Sequence, residues 1–239
     1  MPRTTPPRTC HPRRTPDLRR VSAAVALLAL GAAAACQRGP AETPWFPLAG
    51  GRTWTYLVST EPGEGEEPAV LQVETMGPET VGEQRVVRQR IELGGETYFR
   101  FMAADGRGVY RYATQSAGEQ SPSLDPTRDD LLVLPPEQGR SWRGEASFSF
   151  VDGPEKVPIE SVVESTSETV DVPAGRFPGC VKVRVSGQAR GDRDRSFTLS
   201  EQVWYATGVG MVKSVVEERE AGPTPRTARV TTELAAYAQ

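Results

Sequence analysis

The sequence predicts an all-β protein: a single antiparallel meander curled into a half-barrel or barrel, with little helix, behind an N-terminal signal peptide. Three observations predict it. From Trp45 onward, apolar and polar residues alternate with period two in segment after segment, the pattern of half-buried strands. The breaks between segments are turn chemistry, drawn from 23 Gly and 21 Pro. No apolar stripe of helical period has useful length.

The strand segments follow in order. Residues 53–60 set Trp54, Tyr56 and Val58 against Thr53, Thr55 and Ser59. Residues 70–76, 86–93, 97–102 and 109–112 repeat the rule, as do 141–150, 157–165 and 168–172. Residues 180–189, 197–205, 210–218 and 227–234 complete the series. Gly77-Pro78, Gly94-Gly95, Asp105-Gly106, Asp152-Gly153-Pro154 and Gly191-Asp192 separate neighbours. Gly94-Gly95 and Asp105-Gly106 suit tight hairpins. Residues 61–68, a charge run, and 115–127 read as loops, and the only place with room for a short helix is Asp129 to Leu132, after Asp125-Pro126. About a dozen strands joined as adjacent hairpins make a meander. With one face apolar and the other rich in Arg, Glu and Thr, the sheet must curl to bury its apolar side. No repeat or linker divides this body, so residues 45–239 are expected to form one domain.

The start of the chain reads as an address. Arg3, Arg8, Arg13, Arg14, Arg19 and Arg20 face one acid, Asp17, and the uncharged run 21–35 follows. A basic region, a short apolar region and small residues before a break define a secretory signal peptide. The run is shorter than the roughly 20 residues of a transmembrane helix. Ala33-Ala34-Ala35-Cys36 resembles the bacterial lipobox, with Ala33 where Leu is usual. That resemblance implies cleavage after residue 35, acylation of Cys36 and a lipid-anchored protein. Ordinary secretion after Ala-x-Ala is the competing reading. Arg38 is not the Asp that retains lipoproteins in the inner membrane, so the resemblance implies the outer membrane, facing the periplasm or the cell surface. Residues 36–44 then form the lipidated Cys and a flexible tether.

Cleavage changes the composition. It removes six Arg and one Asp, leaving 22 basic and 30 acidic residues and a net charge of −8. Nucleic acid and an anionic membrane surface both require a basic face, and are excluded as main partners. All but three of the 28 basic residues are Arg and there is no Asn, a skew that reads as codon bias and makes any one Arg weak evidence of function. The only histidine, His11, is lost, and with it imidazole base chemistry and His zinc ligation. Cys10 is lost and Cys36 is acylated, so Cys180 remains alone and reads as a small buried residue on a strand.

Three motifs fall in order along the mature chain: Phe46-Pro47-Leu48-Ala49-Gly50-Gly51-Arg52-Thr53-Trp54-Thr55-Tyr56, the segment Val170 to Val183 containing Val172-Pro173-Ala174-Gly175-Arg176-Phe177 and Cys180, and Trp204-Tyr205-Ala206-Thr207-Gly208-Val209-Gly210-Met211-Val212-Lys213. Together they resemble a group of uncharacterised bacterial lipoproteins and secreted proteins, and the curved β-sheet domains of the DUF3108 and LolA/LolB type. The resemblance implies a fold and a location and carries over no active site. Physically, Pro173 to Gly175 make a turn, and Gly208 and Gly210 allow a sharp reversal beside Trp204 and Tyr205. Trp54, Tyr56, Trp204 and Tyr205 read first as core aromatics and second as candidate ligand contacts.

Catalytic signatures are missing: no G-x-S-x-G, S-x-x-K, H-E-x-x-H or C-x-x-C occurs. Asp192-Arg193-Asp194 and Asp129-Asp130 lack the oxygen density of a Ca²⁺ site, and Glu217-Glu218 alternate across a strand. The expectation is therefore a non-catalytic envelope lipoprotein without metal or cofactor. It holds the membrane through its lipid and binds or carries an apolar or amphipathic ligand in the curled sheet. The alternative is a structural or assembly lipoprotein that holds a protein partner by a sheet edge or loop. A hydrolase using carboxylates is the remote third reading.

Overall fold

Twelve strands form one antiparallel sheet in the computed structural model, which describes residues 43–62, 67–147, 156–191 and 195–238, without the side chains of 126 and 127. They are β1 (Thr53–Glu61), β2 (Ala69–Val81), β3 (Gln84–Leu93), β4 (Glu96–Ala104), β5 (Gly108–Ser116) and β6 (Ser123–Val133). The second half comprises β7 (Ser141–Ala146), β8 (Val157–Val172), β9 (Gly175–Arg190), β10 (Ser196–Ala206), β11 (Gly210–Ala221) and β12 (Arg226–Ala238). The expected signal peptide (1–35), Cys36 and the tether up to residue 42 lie outside the described residues. So do the turn at 152–154 and the Asp192-Arg193-Asp194 candidate.

The sheet order is β6-β5-β4-β3-β2-β1-β12-β11-β10-β9-β8-β7. Each strand pairs with its sequence neighbours except at β6 and β7, and β1 also pairs with β12 from Thr53↔Ala238 to Glu61↔Arg229. The first and last strands thus join, and the opening falls in mid-sequence, between β6 and β7. There a side chain bridges instead of a ladder: Trp142 Nε1 donates to the Asp130 carbonyl at 2.8 Å. The curled antiparallel meander is the expected fold.

Turn chemistry explains the hairpins. Gly94 and Gly95 both take positive φ, 61° and 83°, as a two-residue hairpin loop with the right twist requires. Asp105 Oδ1 accepts from the backbone N–H groups of Arg107 at 2.8 Å and Gly108 at 3.1 Å, so its side chain builds the β4–β5 turn.

Several expectations are corrected. Gly77-Pro78 does not end a strand: β2 runs through it, with a bulge between Thr75 and Gly77. The β1 ladder stops at Glu74, so Pro78 lies where its missing N–H faces no β1 partner. Segments 157–165 and 168–172 are one strand, β8, kept continuous by register shifts between Val163 and Val170. Asp129 to Leu132 are not helical, and the loop expected over 115–127 is confined to residues 117–122. Residues 123–133 form β6. Its ladder to β5 satisfies the backbone, Arg111 on β5 holds Asp129 at 3.0 Å, and Leu132 is buried. These long-range partners outweigh the local helix signal.

The interior is flattened until opposite walls meet. Leu132, Val163, Val181, Val183, Val203 and Tyr205 form one buried cluster, and the Tyr205 hydroxyl donates to the Leu131 carbonyl at 3.4 Å. Residues 43–51 pack across the interior. Leu48 joins Val87, Met102 and Val109, Phe46 tilts against Tyr205 at 6.4 Å, and Gly208 N–H donates to the Pro44 carbonyl at 2.5 Å. Thr43 and Pro44, the last residues of the expected tether, are therefore held by the body. The β8–β9 hairpin folds back onto β12, where Ala174 N–H donates to the Leu234 carbonyl at 2.9 Å.

The outer face is not uniformly polar. Val86, Phe101, Ala103 and Ala113 form a buried cluster there, on the side of β3 and β4 opposite Val87, Arg100 and Met102. Arginine stems shield it: the Arg88 guanidinium lies 3.8 Å from the Phe99 ring centre, and Arg128 lies 3.8 Å from that of Tyr110.

Candidate functional site

Inside the curled sheet lies a cavity of about 190 Å³. Trp54 and Tyr56 of β1, Leu71 and Val73 of β2, and Ile91 of β3 make one wall. Val203 and Tyr205 of β10, with Met211, make the other, and Phe46 and Pro47 close over them. The alternation of each strand puts these residues on the inner side.

Hydrogen bonds fix the aromatic lining. Trp54 Nε1 donates to the Val209 carbonyl at 2.7 Å, and the Tyr56 hydroxyl donates to the Met211 carbonyl at 3.0 Å. Both polar tips are thereby tied to the β10–β11 reversal, leaving the apolar ring bodies toward the cavity. That reversal needs its glycines, with φ of 78° at Gly208 and 96° at Gly210. Burial pushes the Tyr56 and Tyr205 phenols upward, so both remain neutral donors.

Three polar side chains interrupt the apolar walls: Gln89, Arg100 and Glu201. Gln89 Nε2 donates to Thr75 Oγ1 at 3.3 Å, and Arg100 Nη2 donates to Gln89 Oε1 at 3.4 Å. Arg100 Nε is buried without an acceptor. Arg100 makes no ion pair among the described residues, and burial lowers its proton affinity. Glu201 stands apart from it on β10. Burial first, and the charge of Asp129 second, push its carboxyl up to about 7.

Glu201, Val203, Tyr205 and Leu131 also bound a second cavity of about 420 Å³ along the β6–β7 opening. This compartment is polar, with Arg111, Asp125, Asp129, Glu145 and Lys156 in its walls. Arg111 pairs with Asp125 at 2.9 Å and with Asp129 at 3.0 Å. Burial raises the Asp129 carboxyl and Arg111 opposes the rise. Asp130 turns instead to Arg128, at 2.6 Å. Asp129 and Asp130 are thus committed to different arginines.

Of the four aromatic candidates, Trp54, Tyr56 and Tyr205 meet in the inner cavity. Trp204 does not. Its Nε1 donates to Glu168 Oε2 at 3.3 Å, and Lys182 Nζ lies 5.3 Å from the ring centre. It joins the buried cluster with Val170 and Cys180. Cys180 is fully buried on β9, its Sγ 3.3 Å from the Phe177 carbonyl, and burial with Glu168 pushes its thiol up to about 11. Cys36, the acylation candidate, lies outside the described residues. Sequence reasoning missed Gln89, Arg100 and Glu201. Glu201 carried a readable signal, because it breaks the inner row Leu199, Val203, Tyr205. Arg100 carried none, because Phe99 and Phe101 beside it imitate an inward face.

Fold and cavity together define a class: a twelve-stranded meander barrel, open along one seam, with an internal pocket. No family model matches the chain, and no curated protein matches it. Two solved structures are similar. One, from Bacteroides fragilis, is taken to be an exported protein with a YmcC-like fold. It is 16% identical, with a TM-score of 0.42, over 82% of this chain and 99% of that one. The other, from Parabacteroides distasonis, is taken to be a lipoprotein. It is 13% identical, with a TM-score of 0.38, over 83% of this chain and 100% of that one. Likeness at this level carries no functional argument.

Proposed function

We propose that this is a non-catalytic, lipid-anchored protein of the bacterial envelope that takes an apolar or amphipathic ligand into its curled sheet. The observation that carries the reading is the cavity of about 190 Å³ between aromatic and aliphatic walls. It exceeds the roughly 150 Å³ of an engineered apolar cavity that admits benzene. A sheet built only to hold a partner by its edge has no use for such a space. The pairing of β1 with β12 leaves β6 and β7 as the edge strands, and these face each other across the seam. The anchor rests on the signal-like segment and on Cys36, and the outer membrane on Arg38.

Native mass spectrometry tests both halves. The full-length product is expressed in a lipoprotein-processing bacterium and extracted in mild detergent. A mass corresponding to cleavage before Cys36 plus acyl chains, with a further releasable lipid-sized adduct, is the expected result. An unacylated mass removes the anchor. Acylated protein that never carries an adduct removes the ligand.

A further inference from the structure

An arginine inside an apolar cavity needs an explanation. Arg100 presents three groups of donors. Its Nε is buried and has no acceptor. Its Nη2 reaches only an amide oxygen, that of Gln89, at 3.4 Å. No carboxylate of the described residues pairs with it, although this chain pairs Arg111, Arg128 and Arg184 with acids at 2.9 Å or less. The Arg100 side chain as a whole is half-buried, so the orphan is its Nε N–H, and buried polar groups are nearly always satisfied.

The surroundings say what would satisfy it. Tyr56, Tyr98 and Ile91 line the cavity beside Arg100. Among the described residues Glu201 is the one carboxylate in that lining, and it pairs with no described group there. The free Nε and the weakly engaged Nη2 lie on one edge of a planar fork, which matches two oxygens of a carboxylate or phosphate. The remaining wall is apolar and suits a hydrocarbon body.

We propose that the inner cavity binds a single-chain amphiphile with an oxyanion head, the head held by Arg100 and the chain by the Trp54, Tyr56 and Tyr205 wall. The proposal rests on the ligand-binding reading above and deepens it by naming the ligand class. Arg100 selects the head and the aromatic wall accepts any apolar body of suitable width. Gln89, fixed by Thr75, keeps the guanidinium turned into the cavity.

The test is equilibrium dialysis of the full chain in lipid nanodiscs, with empty nanodiscs as background. The probes are labelled decanoate, decyl phosphate and decanol. Decanoate or decyl phosphate is expected to bind at least about tenfold more tightly than decanol, as a charge-assisted hydrogen bond in an apolar site implies. Whichever binds better identifies the head. Arg100→Gln is expected to abolish the preference over decanol. Gln89→Glu keeps the arginine and places a competing carboxylate beside it, and is expected to weaken the anionic probe at least about tenfold. Equal binding of all three probes overturns the proposal and leaves the apolar-pocket reading standing. So does a preference that survives Arg100→Gln. Absence of binding by any probe overturns both.

Discussion

Glu201 offers a prediction whose size follows from the structure. Its carboxyl stands in the wall shared by the two cavities, with Val203 and Tyr205 on its own strand and Asp129 across the opening. Burial moves it from the 4.5 of an exposed glutamate to about 7. A raised carboxyl affinity means that the native state holds the proton over a range where the unfolded chain has lost it. Below 4.5 the group is protonated in both states and imposes no penalty. Between 4.5 and about 7 the penalty grows, and above 7 it is complete. At about 1.4 kcal/mol for each tenfold change in proton affinity, the full penalty is about 3 kcal/mol. Glu201→Gln keeps the shape and removes the titration. The substitution is expected to leave stability near pH 4.5 almost unchanged and to raise it by about 3 kcal/mol above pH 7. Urea unfolding at a series of pH values, for both proteins, reads the difference directly. Asp129 contributes to both curves, so its own raised affinity largely cancels. A difference that stays flat from pH 4 to pH 8 refutes the burial argument. So does a difference of the opposite sign above pH 7, with Glu201→Gln the less stable protein, which would mean that Glu201 is stabilised by a cation.

Other predictions follow from single contacts. Trp54→Phe removes the 2.7 Å bond to the Val209 carbonyl and leaves that oxygen buried, so the urea midpoint should fall by the equivalent of about 1–3 kcal/mol with an unchanged slope. Phe101→Ala opens the outer cluster, where Phe101 is 0% exposed, and should cost about 3–5 kcal/mol; a loss near zero would mean that the arginine stems do not bury it. Cys180, with its thiol pushed up to about 11, should resist iodoacetamide at neutral pH while folded and react once the protein is unfolded in urea.

The sequence made the fold legible because a meander is written locally. Each hairpin shows its own alternation and its own turn, as Gly94-Gly95 and Asp105 do. The failures lie where a distant partner decides. Nothing near Gly77-Pro78 announces that β1 stops at Glu74 and leaves a place for proline. Asp129 to Leu132 look helical until Arg111 on β5 is set beside them. The site was legible in its aromatic half only. Trp54 and Tyr56 share a face by simple alternation, and that face is inward. Trp204 and Tyr205 are adjacent, so one of them had to leave the cavity. A face assignment for either depends on the bulge between them opposite β11. Arg100 was hidden for a related reason. The two faces of β4 are both half apolar, Phe99 and Phe101 on one side and Tyr98 and Met102 on the other, and only the curl decides which is inside.

The polar groups of the cavity set stability against binding. Gln89, Arg100 and Glu201 occupy positions where leucine or methionine would pack. Among the described residues Arg100 has one weak hydrogen bond and no paired carboxylate. Arg100→Met fills a similar volume without charge; replacing even paired buried charges by apolar residues is often neutral or stabilising by about 1–4 kcal/mol, and Arg100 has no such pair to lose among the described residues. The empty protein should therefore gain stability, read as a higher urea midpoint, in the same variant that loses its preference for decanoate over decanol. A wild-type protein saturated with its anionic ligand should recover the difference, because ligand that binds only the native state adds stability by mass action. If Arg100→Met instead destabilises the empty protein, the guanidinium is structural: Gln89 and bound water satisfy it, and the cavity has no need of an anion.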